Sequence, residues 1–153
     1  MSRLSEGRRD SGNAEFEGVD AVRADGGLVH IRPFAASDAN ALRALHARVS
    51  DRSMYLRFFG LGRAAVEKYV TLLMQPASPS HQTLTAWIGS QLVGVAGFER
   101  STRETAEAAL LVADDRQHQG IGTLLLEYLA DVARRNGIHR FEADVLGENL
   151  LAL

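Results

Sequence analysis

The clearest periodic pattern in the chain begins at Gly120. Ile121, Leu124, Leu125, Tyr128, Leu129, Val132 and Ala133 recur at alternating three- and four-residue steps, which predicts an amphipathic helix of about four turns that stops at Asn136-Gly137. Elsewhere the apolar residues run together between turn residues. Residues 83–88 and 92–98 flank Gly89-Ser90 and predict two strands joined by a tight turn, and residues 104–113 add a third strand to the meander. From Ala108 onward that third strand is apolar enough to be covered on both faces. Residues 28–31, stopped by Pro33, predict a first strand, and residues 140–145 predict a last one. Ser37 or Asp38 is placed to cap a helix carrying Leu42, Leu45 and Val49, and residues 64–74 form another candidate helix, broken by Gln75-Pro76.

The two ends of the chain lack such patterns. Residues 1–25 are rich in Ser, Gly, Asn, Asp and Arg with no sustained period, so they are expected to be a mobile tail, leaving one domain over residues 26–153. Residues 149–153 resemble the first turn of a further helix, with three leucines left uncovered. The chain is therefore expected to be a fragment of a longer polypeptide, truncated at its C-terminus. The order of strand, helices, meander, helix and strand implies an α+β domain with a mixed, mostly antiparallel sheet.

Composition narrows the chemistry. The 153 residues contain no cysteine, which removes disulfides, thiolate metal sites and a cysteine nucleophile. The net charge of -2 does not suit nucleic-acid binding. No apolar run reaches the roughly 18 residues of a membrane span, and the polar N-terminus is no signal peptide. A soluble, cytoplasmic protein is expected. The histidines show no metal-ligand spacing, and no serine has a paired histidine and acid.

The informative stretch is Leu111-Val112-Ala113-Asp114-Asp115-Arg116-Gln117-His118-Gln119-Gly120-Ile121-Gly122-Thr123, where a central strand leads through a polar turn into a helix. Glycines at 120 and 122 permit close approach to the backbone, and the first helical N–H groups have no intrahelical partner. Such a place favours an anion, with about 0.3–1 kcal/mol from the helix dipole at an exposed site. A Walker loop is excluded, because Gly122 is followed by Thr123 and Leu124 with no lysine. A Rossmann fingerprint suits poorly, since Leu125 stands where its third small residue belongs.

Gln117-His118-Gln119-Gly120-Ile121-Gly122 resembles the acyl-CoA-binding signature of the GCN5-related N-acetyltransferases, and the element order of residues 28–149 is similar to theirs. The resemblance implies acetyl-CoA as co-substrate. It implies that Gln117, His118, Gln119, Gly120, Ile121, Gly122 and Thr123 hold the pyrophosphate, that Leu111 and Val112 meet the pantetheine arm or the acetyl carbonyl, and that Asn149 opens a helix near the coenzyme. Residues 50–60 (SDRSMYLRFFG) and 106–110 (AEAAL) further resemble the bacterial protein lysine acetyltransferases that modify AMP-forming acyl-CoA synthetases. That likeness implies Glu107, ten residues before Gln117, as general base, and Tyr55, Arg57 and Phe58 on the acceptor side. It also implies a synthetase as protein partner and an additional domain in the same polypeptide. If the strand alternates without a bulge, Glu107, Ala109 and Leu111 share one face. A small-amine acetyltransferase and a non-catalytic acyl-CoA sensor are the alternatives left open.

Overall fold

A computed structural model describes residues 17–48, 71, 73–116, 119–142 and 150–152. Its strands, in chain order, are β1 (Val19–Val22), β2 (Leu28–Pro33), β3 (His81–Ile88), β4 (Gln91–Arg100), β5 (Thr105–Val112), β6 (Arg140–Glu142) and β7 (Leu150–Ala152). They form a single seven-stranded sheet with neighbours in sequence order. Every pair is antiparallel except β5–β6, which run parallel. Parallel neighbours need a crossover, and the helix α2 (Ile121–Arg135) supplies it. A 3-10 turn (Ala36–Asp38) and the helix α1 (Ala39–Ala47) follow β2.

The predicted helical period is what packs. On α2, Ile121, Leu125, Leu129, Val132 and Ala133 are buried against Ile31, Ala96, Phe98, Ala108 and Val112 of the sheet. The helix ends where Asn136-Gly137 predicts: the N–H of Gly137 donates to the carbonyl of Arg134 and that of Ile138 to the carbonyl of Ala133, both at 3.0 Å. This pair of bonds closes the last turn, with Ile138 buried behind it. On the opposite face of the sheet a smaller core joins Leu42 and Leu45 of α1 to Leu73, Leu92, Val95 and Leu111.

Several expectations change. Residues 19–22, assigned to a mobile tail, are an edge strand paired with β2 from Val19↔Ile31 to Val22↔Leu28. Only Ala21 of that strand is buried and Val19 packs partly against the core, so four residues are too few to show a readable period. Residues 150–152, expected as the start of a helix, are a strand that pairs with β6 from Glu142↔Leu150 to Arg140↔Ala152. Ladder hydrogen bonds to an available strand edge outweigh the local helical preference of leucine. Asp38 occupies the N-cap of α1 but does not cap it. Its carboxylate turns back to accept from the backbone N–H of Ala35 at 2.8 Å and from the Arg32 guanidinium at 2.8 and 2.9 Å. The expected positions Val49, 53–59 and 64–70 lie outside the described residues.

Candidate functional site

β5 connects the two ends of the site. The β4–β5 register runs unbroken from Gly94↔Val112 to Arg100↔Ala106, so no bulge disturbs the alternation. Ala106, Ala108 and Val112 enter the core under α2, whereas Leu111 enters the core under α1 and Ala109 packs beside it. Glu107 belongs to this second face and is exposed. The predicted grouping of Glu107, Ala109 and Leu111 on one face therefore holds.

The same alternation decides which backbone groups face which neighbour. The N–H of Ala113 donates to the carbonyl of Val93 at 2.9 Å. In an antiparallel pair such bonded positions recur every second residue, so the N–H and C=O of Leu111 also turn toward β4. Those of Ala108, Leu110 and Val112 turn toward the β6 side. β6 pairs with β5 only over Thr105–Glu107 among the described residues. Leu111, expected with Val112 to meet the pantetheine arm or the acetyl carbonyl, has a fully buried side chain in the core under α1.

At its C-terminal end β5 passes through a 3-10 turn (Asp114–Arg116) toward α2. Gly120 is the N-cap of α2 at φ +82°, a left-handed conformation that favours glycine, and no side chain caps the helix. The first-turn amides of Ile121, Gly122 and Thr123 have no intrahelical partner by construction, and no acidic residue stands in that turn to compete with an anion. A Cβ at Gly122 would lie 3.2 Å from Leu110 Cδ2 and 3.6 Å from Val112 Cγ2. The helix start therefore sits tight against the end of β5. Ile121 is buried and can offer only its backbone, while Thr123 is exposed. These features fit a phosphate group. Gln117, His118 and Asn149 lie outside the described residues, as do Tyr55, Arg57 and Phe58.

The other end of β5 holds a feature that sequence reasoning missed. Glu107 is opposite Glu99 on β4 and opposite Glu142 on β6. Paired residues point to the same face, so three carboxylates form a row across three adjacent strands. His81 of β3 extends the row opposite Glu99, with Nδ1 3.0 Å from Glu99 Oε1. No set of three or more His, Asp or Glu side chains is arranged to hold a metal ion among the described residues. An open concavity lined by Arg103, Glu104, His139 and Arg140 lies beyond this end, below the β4–β5 turn.

Three strands from β5, Arg32 of β2 is partly exposed and its partner Asp38 is buried. The hydrogen bond from Arg32, together with that from Ala35, holds the Asp38 carboxyl below its usual range, and the partnership raises Arg32. The Arg32 guanidinium also lies 4.6 Å from the centroid of the Trp87 ring. No described helix is long and apolar enough to cross a membrane.

Comparison with known proteins places this geometry. The acetyltransferase PA5475 of Pseudomonas aeruginosa is 30% identical over 147 residues, covering 92% of this chain and 79% of that protein. The crystal structure of the GNAT domain of S. lividans PAT matches with a TM-score of 0.75 and 34% identity, covering 84% of this chain and 78% of that one. The cAMP-binding acyltransferase from Mycobacterium smegmatis matches at 25% identity and a TM-score of 0.58, over 94% of this chain but 42% of that protein. Since the profile of the acetyltransferase (GNAT) family matches residues 52–153, and the sheet, crossover helix and glycine-bearing turn stand as described, the chain belongs to that family and is an acetyl-CoA-dependent N-acetyltransferase.

Proposed function

We propose that the protein transfers acetyl from acetyl-CoA to a lysine side chain of a protein, an AMP-forming acyl-CoA synthetase, with Glu107 as general base. The observation that carries this is the position of Glu107: exposed, on an unbroken β5, at the far end of that strand from the glycine-bearing turn. Similarity to the GNAT domain of S. lividans PAT supports the protein acceptor. Residues 117–123 hold the coenzyme phosphates, the first-turn amides of Ile121 to Thr123 among them, and the pantetheine arm runs beside the C-terminal end of β5.

From Glu107 to Leu110 an extended strand spans about 10 Å. A thioester carbonyl held at the Leu110 N–H is too far for direct proton transfer from the attacking amine to Glu107, so water carries the proton. The lysine ammonium loses a proton through this water to Glu107. Its neutral nitrogen then forms the N–C bond as the C–S bond breaks, and the second proton that the nitrogen sheds passes to the departing coenzyme thiolate. A positioned base of this kind contributes roughly 10²- to 10⁴-fold. An N–H on β5 donates to the carbonyl oxygen as negative charge develops on it. Glu99 and Glu142, on either side of Glu107, draw the cationic side chain toward the row.

This function calls for a cytoplasmic location and fits a unit that can stand beside a further domain, as the partial coverage of the Mycobacterium smegmatis protein illustrates. Incubation with acetyl-CoA and either an acyl-CoA synthetase or a panel of small amines tests the acceptor. Mass spectrometry should find acetyl on a lysine of the synthetase. Turnover of the amines alone would overturn the protein acceptor.

A further inference from the structure

The turn between β1 and β2 reaches the glycine-bearing loop. The N–H of Ala24 donates to the carbonyl of Gln119 at 2.8 Å, and Arg23 Nη1 donates to Gln119 Oε1 at 3.3 Å. Gly120 faces the same turn, since a Cβ placed there would lie 3.7 Å from the Ala24 nitrogen. The turn itself is closed by hydrogen bonds from Arg23 to Gly27 at 2.7 Å and from Gly26 to Arg23 at 2.9 Å. Arg23 does not extend into solvent as surface arginines do: its side chain is 13% exposed, with Nε 3.4 Å from Asp25 Oδ1. Gly27 makes this possible. A Cβ at Gly27 would lie within 1.9 Å of Arg23 Nη2, so the guanidinium occupies the space that any other residue would fill.

We propose that the β1–β2 turn is part of the donor site and that Arg23 is a positioning residue for coenzyme binding. Arg23 and the Ala24 amide hold Gln119 by its side chain and its carbonyl together. Both contacts use acceptor groups of Gln119 and leave the amides that follow, from Gly120 to Thr123, turned toward the ligand. The loop is thereby ordered before the coenzyme arrives, and binding does not bear the entropy of ordering it. The ligand class is the coenzyme's phosphates. The inference rests on the proposed role of the Gly120 to Thr123 amides in holding them.

Calorimetry with coenzyme A on the full chain tests the brace. Arg23→Met keeps the aliphatic stem but loses the donors, and Gly27→Ala displaces the guanidinium while leaving Arg23 in the sequence. Each should raise the Kd for coenzyme A about five- to tenfold, the size of one or two lost hydrogen bonds. The KM for acetyl-CoA should rise in step, with kcat unchanged. Gln119→Ala should match Arg23→Met, and the double variant should be no worse than either single, because the two residues act through one contact. Amide spectra of the wild type during the same titration separate the two claims. If the Gly120 and Gly122 amides respond to coenzyme A while Arg23→Met and Gly27→Ala bind normally, the brace is wrong and the loop assignment stands. If those amides do not respond, both fall. Additive losses in the double variant would also overturn the brace.

Discussion

The two ends of β5 are built from different materials. At the C-terminal end, beside α2, the features that suit phosphate are main-chain amides, and the side chains of Ile121 and Val112 are buried in the core. At the N-terminal end the backbone is committed to its ladders with β4 and β6, and what that end offers is the exposed carboxylate of Glu107 beside those of Glu99 and Glu142. A site built from amides tolerates sequence change wherever glycine geometry is kept. A site built from a carboxylate row fails or changes with a single atom. The difference teaches where mutation should separate binding from turnover.

Glu107→Gln should give the largest effect. It keeps size and hydrogen-bonding reach but cannot take a proton, so kcat should fall by about 10²- to 10⁴-fold while the calorimetric Kd for coenzyme A stays as in the wild type. Raising the pH should partly rescue it by supplying neutral lysine. Near-normal turnover in the folded variant would erase the distinction between the two ends.

Asp38→Asn is a control that touches neither end. Losing the charge of a buried carboxylate whose partner Arg32 is partly exposed should cost about 1–3 kcal/mol, below the full value of a buried pair. Coenzyme affinity and kcat per folded molecule should not move. Because the folded Asp38 carboxyl is held low, its contribution is present above its ordinary value of about 3.9 and is lost as pH falls toward the depressed folded value. Urea denaturation at a series of acidic pH values should therefore show the wild-type advantage over Asp38→Asn shrinking as the solution is acidified. An advantage independent of pH would show that the ion pair is not its source.

Glu99→Gln and Glu142→Gln should have the smallest effects. Each removes one charge from a row that is exposed at Glu99 and half-buried at Glu142, so the KM for a cationic acceptor should rise no more than about fivefold, and added salt should narrow the gap from the wild type. Steady-state kinetics at low and high ionic strength reads both. A fall in kcat matching that of Glu107→Gln would mean that one of these neighbours, and not Glu107, is the base.

How much of this was legible in the sequence follows the same division. The donor end is local: β5, the polar turn, Gly120 and the apolar stripe of α2 are contiguous, so a strand period, two glycines and a helical period point to one place. Glu107 could be assigned to a face because strand alternation needs only neighbouring residues. Glu99 and Glu142 could not be placed beside it, because their proximity depends on the β4–β5 and β5–β6 registers, and register is a property of the folded sheet. The same holds for Arg23. It lies 96 positions from Gln119, in a segment whose single buried residue, Ala21, gives no hydrophobic pattern. The Asp25-Gly26-Gly27 sequence was the one available turn signal there. Leu150–Ala152 was misread because three residues after an unassigned stretch favour a helix locally, while the edge of β6 that captures them is invisible in one dimension.

The most direct test of the account is an amide-resolved titration of the wild-type protein with coenzyme A. The account predicts that the Gly120, Gly122 and Thr123 resonances shift most, that Leu110 and Val112 follow, and that Arg103, His139 and Arg140 around the basic concavity below the β4–β5 turn stay put. Shifts centred on Arg103, His139 and Arg140, with the start of α2 silent, would place the phosphates at the wrong end of β5 and contradict it.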